Sequence, residues 1–199
     1  AESNYFTVWD YAIDQGFAYG SGMGTNHHYG YQIRKIYTTA WLMRKAILKS
    51  SRRDDILKTL LFWSALQETR RPCAEIRDEM LDSWNTLLQP KLISAMMIPD
   101  ECARVQALHG LSRWVSGSVN CTPGTIGGIK VDGTTFHHGG FYPAYTTGAL
   151  ATVSDYIAMT GGTEFVPSLE ARRLLASAFT AMRNYSNLIE WSTGLGGRQ

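Results

Sequence analysis

Ile36-Tyr37-Thr38-Thr39-Ala40-Trp41-Leu42-Met43-Arg44-Lys45-Ala46-Ile47 carries Ile36, Ala40, Met43 and Ile47 at steps of four, three and four. That spacing lines one face of a helix. The pattern extends along the chain. Ile56, Leu60 and Trp63 repeat it, with Ser51-x-x-Asp54 ahead of them in the form of a capping box. Ile76, Met80, Trp84 and Leu87 form a third stripe, and Pro90 predicts a break before a short helix from Leu92 to Ile98. Pro99-Asp100 reads as a stop and an N-cap that opens a helix to about Trp114. Pro143 fits the first turn of a helix through Leu150 and Tyr156. Pro167-Ser168 opens another, with Leu175, Phe179 and Met182 expected on its buried side. Strand signals are few: Val119 to Thr135 is glycine-rich and reads as a long loop with one hairpin at most. The expectation is an all-α fold of antiparallel helices, with a site on the rim where the long loops gather.

Composition narrows the function classes. Lys plus Arg is 19 against 17 Asp plus Glu, a net charge of +2, which lacks the basic footprint of a dedicated nucleic-acid binder. A hydrophobic fraction of 44% excludes a disordered chain. No apolar run approaches the roughly 18 residues of a membrane span. The first residues show no signal peptide, as a mature or excised chain also would not. Cys73, Cys102 and Cys121 are odd in number and form no C-x-x-C, against a zinc ribbon or disulfide framework; they read as free buried thiols. Aromatics reach 12%, with ten Tyr and six Trp, and suit either a wet groove or a core. Trp41, Trp63 and Trp84 fall in helix stripes and read as core.

Four of the five histidines lie in two adjacent pairs, in Gly24-Thr25-Asn26-His27-His28-Tyr29-Gly30-Tyr31 and in Phe136-His137-His138-Gly139-Gly140-Phe141-Tyr142-Pro143-Ala144-Tyr145. Histidine exchanges protons near neutrality, and glycine lets the backbone approach a ligand closely. Helix capping is the plain structural alternative for both pairs, and a structural role is the better reading of His109 inside its helix. No carboxylate accompanies the pairs at ligand spacing and no H-E-x-x-H occurs, so no metal site is assigned. Nucleophile elbow, P-loop and dinucleotide fingerprint are all missing. Gly20-x-Gly22-x-Gly24 follows no strand and reads as a helix-to-helix loop.

Asp132-Gly133-Thr134-Thr135-Phe136-His137-His138-Gly139-Gly140-Phe141-Tyr142-Pro143-Ala144-Tyr145 resembles the signature segment of polysaccharide lyase family eight, the chondroitin and hyaluronan lyases, which holds their catalytic His and Tyr. The seven-residue step from His138 to Tyr145 is similar to the broad-specificity ABC type. Gly194-Leu195-Gly196-Gly197-Arg198 resembles the family's loop with its catalytic Arg. Asn26-His27-His28-Tyr29-Gly30-Tyr31-Gln32-Ile33 resembles an "NWW…(Y/W)(E/Q)IG" segment. Here both Trp positions are His, again an ABC feature, and the terminal Gly is Arg34, which weakens the transfer of sugar-stacking roles to His27 and His28. The resemblance spans residues 26–198. It implies an incomplete (α/α) toroid, the catalytic helical domain over 1–199, followed by β-sandwich domains, one of which supplies a catalytic Glu. The glycine-rich final residues agree with a chain that continues.

The implied reaction is β-elimination at a uronic acid of chondroitin or dermatan sulfate, with hyaluronan a further substrate, giving a 4,5-unsaturated product. A base removes the C5 proton, an acid protonates O4, and the neighbouring carboxylate must be hydrogen-bonded so that developing charge is held. Asn26 is the candidate for the carboxylate, with His27 as alternative. Tyr145 is the acid and also a base candidate; a phenol of reference pKa about 10 needs a cation such as Arg198 to ionise. His138 is the other base candidate. The two uronic epimers present H5 on opposite faces, so His28 is a second base for the iduronic one, and His28, His138, Tyr145 and Arg198 are expected to converge. Arg34, Lys35 and Arg113 are candidates for anionic groups on the sugar. Tyr29, Tyr31, Trp114 and Trp191 are candidates for stacking, and His137 for substrate contact. No cofactor is required, and calcium or magnesium is compatible. The implied partners are the sulfated glycosaminoglycan and later β domains of the same chain, with no nucleic acid or membrane, in a secreted or periplasmic bacterial setting. Two alternatives stand: a non-catalytic polysaccharide-binding toroid, and a helical-toroid glycoside hydrolase, which needs two flanking carboxylates.

Overall fold

The computed structural model describes residues 2–73, 80–187, 189–190 and 193–195. Of these, 68% are helical and 4% lie in strands, in agreement with the all-α expectation. In chain order the helices are α1 (Glu2–Asp14), α2 (Asn26–Leu42), α3 (Arg44–Lys49), α4 (Arg53–Trp63), α5 (Met80–Asp82), α6 (Leu88–Met97), α7 (Glu101–Ser118), α8 (Pro143–Thr160) and α9 (Leu169–Asn184). A π-helical turn, Ser83–Leu87, joins α5 to α6. Three short strands, β1 (Gly128–Ile129), β2 (Thr135–His137) and β3 (Gly140–Phe141), form an antiparallel sheet in that order. No helix of the described residues is long and apolar enough to cross a membrane. The chain divides into two compact units, Ala1–Glu68 with Thr86–Leu108, and Thr69–Asn85 with His109–Gln199.

In the first unit, α2 and α4 pack on α6. Tyr37, Ala40, Ile47, Ile56, Leu60 and Trp63 are fully buried. Two fully buried aromatics place their polar tips on backbone carbonyls: Tyr37 Oη donates to Leu60 O (2.8 Å) and Trp63 Nε1 to Ala18 O (3.0 Å). The stripe from Ile36 to Ile47 is two helices meeting at Met43, not one. No capping box forms at Ser51. The N-cap position is Arg52, whose guanidinium binds Asp10 through two 2.7 Å bonds, and Asp54 accepts from Arg53 instead. Pro90 does not break a helix; it lies in the first turn of α6, where a missing N–H costs nothing. Helix α1 escaped the sequence reading because its only buried residue is Trp9, too thin a stripe to show a period.

Lys91 is 0% exposed, with Nζ donating to Ser64 O (3.1 Å) and to Glu68 Oε2 (3.2 Å). Burial holds it below the usual lysine range, and Glu68 pulls it partly back. Removing the carboxylate leaves a buried cation without its counter-ion, so Glu68→Gln should destabilise the fold by about 2–3 kcal/mol. That is the low end of the usual cost, because Glu68 itself is partly exposed. The folded pKa lies below the unfolded one. Between the two the unfolded chain binds more protons, and stability rises with pH through that window. In Glu68→Gln the window extends downward, so urea midpoints should begin to climb at a lower pH than in the wild type.

In the second unit, Trp84 is buried and its Nε1 donates to Ser118 Oγ (2.9 Å). Both expected caps form: in the first unit Asp100 Oδ1 accepts from Ala103 N (2.7 Å) at the start of α7, and in the second Ser168 Oγ accepts from Ala171 N (3.2 Å) at the start of α9. The buried line of α9 is Ala171, Leu175 and Ala178, which turns Phe179 outward to 41% exposure, against the expectation for that residue. Of the third stripe, Met80, Trp84 and Leu87 are buried, while Ile76 lies outside the described residues.

The glycine-rich stretch leads into one hairpin, β1 with β2, as expected, and a second, β2 with β3, follows beyond Thr135. Between β1 and β2, Asp132 Oδ1 accepts from Thr134 N (3.0 Å) and Thr134 Oγ1 (2.7 Å), and these bonds hold its carboxyl below the usual range. Gly133 has φ +83°, and a Cβ there would come within 2.7 Å of Ser177 O on α9. A side chain at this position meets left-handed backbone strain and a rigid carbonyl together. Gly133→Ala should therefore destabilise by about 2–4 kcal/mol, measured as a fall in urea midpoint with the m-value unchanged.

Candidate active site

Between β2 and β3 only His138 and Gly139 intervene, with His137 opposite Gly140. Their φ angles are +50° and +77°, the two positive values that a two-residue type I′ hairpin demands. The histidine at this tip is exposed. The chain then turns directly into α8. Tyr142 N donates to Thr135 O (3.1 Å), and Thr146 Oγ1 donates to Tyr142 O (3.0 Å) while pairing with the Thr135 hydroxyl. Pro143 occupies the start of the helix. Strand and helix are thereby locked together, and the seven-residue step from His138 to Tyr145 brings the two rings to 6.0 Å between centroids.

Tyr145 is half-buried in the first turn of α8, at the positive end of the helix dipole, which favours nearby negative charge. Tyr142 meets it edge-on at 4.8 Å. His137 lies beneath: 0% exposed, its ring 3.9 Å from that of His138 and 4.9 Å from that of Tyr145. A sugar cannot reach it, so the expected substrate contact is corrected to a buried role. Its Nε2 is 3.3 Å from Asp82 Oδ2, at the end of α5 and itself buried. Directly after Asp82 the backbone enters the π turn, a feature that often marks functional sites. Half-buried Asn85 in that turn lies against Gly148, one helical turn beyond Tyr145; a Cβ on Gly148 would stand 2.8 Å from Asn85 Oδ1. Sequence reasoning passed over Asp82 and Asn85. Their signal was a carboxylate and an amide among the four polar residues, Asp82, Ser83, Asn85 and Thr86, that interrupt Met80, Leu81, Trp84, Leu87 and Leu88.

The first histidine pair opens α2 in the first unit. Asn26 Nδ2 donates to Phe62 O (2.8 Å) and Trp63 O (3.4 Å). These bonds tie the Asn26 amide to the end of α4 and pin the start of α2 there, a structural duty that competes with its expected role at the substrate carboxylate. His27 is half-buried and His28 exposed, their rings 4.3 Å apart. Thr25, at the N-cap, makes no side-chain cap bond; its hydroxyl lies 2.7 Å from His28 Nδ1. His28 is thus held by the cap residue and is not itself a cap.

The aromatic candidates divide. Tyr29 packs on Trp63 (5.2 Å) and extends the core, whereas Tyr31 keeps 39% exposure with the Arg34 guanidinium 5.8 Å from its ring centre. Trp114 is 2% exposed, which leaves no face for a sugar and overturns its stacking assignment. Lys35 and Arg113 are exposed. Arg198 and Trp191 lie outside the described residues. His109 takes the structural part expected of it, 3.6 Å from Glu164 and edge-on to Phe165. The three thiols are free, but Cys102 and Cys121 are exposed rather than buried. Among the described residues no group of three His, Cys, Asp or Glu side chains could hold a metal ion.

The whole chain, residues 1–199, matches the protein family described as "Lyase, catalytic". It is 33% identical over 194 residues to the chondroitin sulfate ABC exolyase of Bacteroides thetaiotaomicron, covering 98% of this chain and 19% of that protein. To the chondroitin sulfate ABC exolyase of Proteus vulgaris it is 30% identical, over 99% of this chain and 20% of the relative. To the chondroitin sulfate ABC endolyase of Proteus vulgaris it is 29% identical, over 92% and 18%. The chain therefore spans about a fifth of the length of these relatives. A match along its entire length places this chain in the lyase catalytic family.

Proposed function

We propose that this chain is the catalytic helical domain of a polysaccharide lyase that cleaves chondroitin and dermatan sulfate, with hyaluronan as a further substrate, by β-elimination at the uronic acid. The observation that carries the reading is the exposed imidazole of His138 held beside the half-buried phenol of Tyr145 at the start of α8. His138 takes the C5 proton. The C–H electron pair becomes the C4–C5 double bond, the C4–O4 bond breaks, and O4 receives the phenolic proton of Tyr145. The proton on His138 then restores Tyr145, which closes the cycle without a water molecule entering the products. With Asn26 committed to the backbone, the substrate carboxylate falls to Asn85, whose amide lies one turn from Tyr145, or to His27. Arg198 is assigned, on the resemblance, to the charge that develops at the phenol. Arg34, beside exposed Tyr31, suits a sulfate or carboxylate.

His28 is assigned the C5 proton of the iduronic epimer. The Thr25 hydroxyl lies 2.7 Å from Nδ1, and the tautomer that carries its proton on Nδ1 keeps Nε2 open to receive the C5 proton. His28→Ala should cut dermatan cleavage about 100-fold while chondroitin cleavage stays within about threefold; equal losses on both polymers would remove the second base. On the same resemblance, the helices belong to an incomplete (α/α) toroid, later β-sandwich domains of the same chain supply a Glu, and the protein works outside the cytoplasm as a secreted or periplasmic enzyme. No divalent cation is required.

The test is to incubate the full-length protein with chondroitin sulfate, dermatan sulfate and hyaluronan, with and without EDTA, and follow near-ultraviolet absorption of the unsaturated product. Absorption that grows equally in both arms is the expected result. New reducing ends without absorption mean hydrolysis, and binding without either means a non-catalytic toroid.

A further inference from the structure

Asp82 and His137 form a buried pair that nothing in the elimination itself consumes. Both side chains have almost no access to water, and His137 Nε2 lies 3.3 Å from Asp82 Oδ2. Both nitrogens of His137 are buried without a hydrogen bond of good geometry. An imidazole buried in this way costs stability that an apolar ring of the same size would not. What the ring touches explains its presence. Its centroid lies 3.9 Å from that of His138, 4.9 Å from Tyr145 and, edge-on, 5.9 Å from Tyr142, so with buried Tyr142 it forms the floor on which His138 and Tyr145 rest. His138, its chain neighbour, holds a left-handed φ of +50°, a state that persists in a non-glycine residue only where the surroundings enforce it.

We propose that Asp82 and His137 are positioning residues: the Asp82 carboxylate fixes the ring plane and the protonated nitrogen of His137, and that ring sets the separation of His138 from Tyr145. The proposal rests on the lyase reading. It extends the site from the hairpin tip to the junction of α5 with the π turn. The titratable groups that face His137 among the described residues are Asp82 from α5, His138 from the hairpin turn, and Tyr142 and Tyr145 from the start of α8.

Three variants of the full-length enzyme test it. Asp82→Asn keeps the shape and removes the charge. His137→Phe keeps the ring and removes the nitrogen that meets Asp82. The third combines them. Misplacement of a reacting group by a fraction of an ångström costs about 10- to 100-fold in turnover. Each single variant should lose kcat in that range with KM within about twofold. The double variant should be no worse than the weaker single, because the two residues act as one unit. The shape of the kcat/KM pH profile should persist, since the residual activity still runs through His138 and Tyr145. Should Asp82→Asn fold poorly, His137→Phe decides alone, as its ring fills the same space. A folded variant with full kcat, losses that multiply in the double variant, or a loss confined to KM overturns the pair. If the wild-type enzyme makes no unsaturated product from any of the three polymers, the lyase reading itself falls; wild-type turnover with undiminished variants removes only the pair.

Discussion

Tyr145→Phe in the full-length protein should lower kcat for unsaturated product by about 10³- to 10⁴-fold, with KM within about twofold. The substitution removes one oxygen. Its ring packing against Tyr142 (4.8 Å) and His137 (4.9 Å) is unaffected, and no hydrogen bond among the described residues engages the hydroxyl, so the fold has nothing to lose. The chemistry loses its acid. Departure of O4 as an alkoxide into a site without a proton donor forfeits the upper part of what general acid catalysis contributes. KM holds because a sugar that stacks on the ring still finds it. Initial rates of near-ultraviolet absorption, with thermal unfolding as the folding control, check the prediction. A variant within about tenfold of wild type would mean that another group protonates O4 and that the half-buried phenol beside His138 is only packing.

How far the sequence carried depends on which forces are local. Helix stripes and caps at Asp100, Pro143 and Ser168 were legible because capping and periodicity act within a turn or two. The break at Met43 was not legible, because the apolar period runs straight through it. The His138–Tyr145 pairing was readable from the motif, but its geometry was not. A His-Gly pair at a type I′ tip lacks the usual Asn-Gly signal, so the second hairpin stayed hidden. Burial decided the rest. His137 and His138 are neighbours in sequence with opposite exposure, because His137 is the last residue of β2 and faces inward while His138 is the first residue of the turn that leaves the sheet. Trp114 looks like a rim aromatic in sequence and is enclosed in the fold. Asn26 looks like a free amide and is bonded to the end of α4, thirty-six residues away. Asp82 lies fifty-five residues before His137 in the chain (137 − 82) and meets it only through tertiary packing.

His138→Asn should separate stability from activity. His138 sits at φ +50° in the first position of a type I′ turn, where a histidine is strained and asparagine is the favoured residue. The residue is exposed and its ring packs only on its inner side, against His137 and Tyr142, a contact set against the strain that asparagine relieves. Asparagine should therefore leave the protein as stable as the wild type or more stable by up to about 1 kcal/mol. Its amide cannot take a proton near neutrality. Loss of a positioned base costs about 10²- to 10³-fold in kcat. Gly139 beside it keeps the turn intact in the variant, because it supplies the second positive φ without strain. Urea unfolding and product formation measured on the same preparation test both halves. An active, stabilised His138→Asn would show that the imidazole is a turn residue and nothing more. An inactive but destabilised variant would show that the ring contact with His137 holds the hairpin, and that the strain at this tip is smaller than its φ implies. The expected combination, an unstrained turn with a silent site, is the mark of a fold that tolerates a poor turn residue because the chemistry needs that residue there.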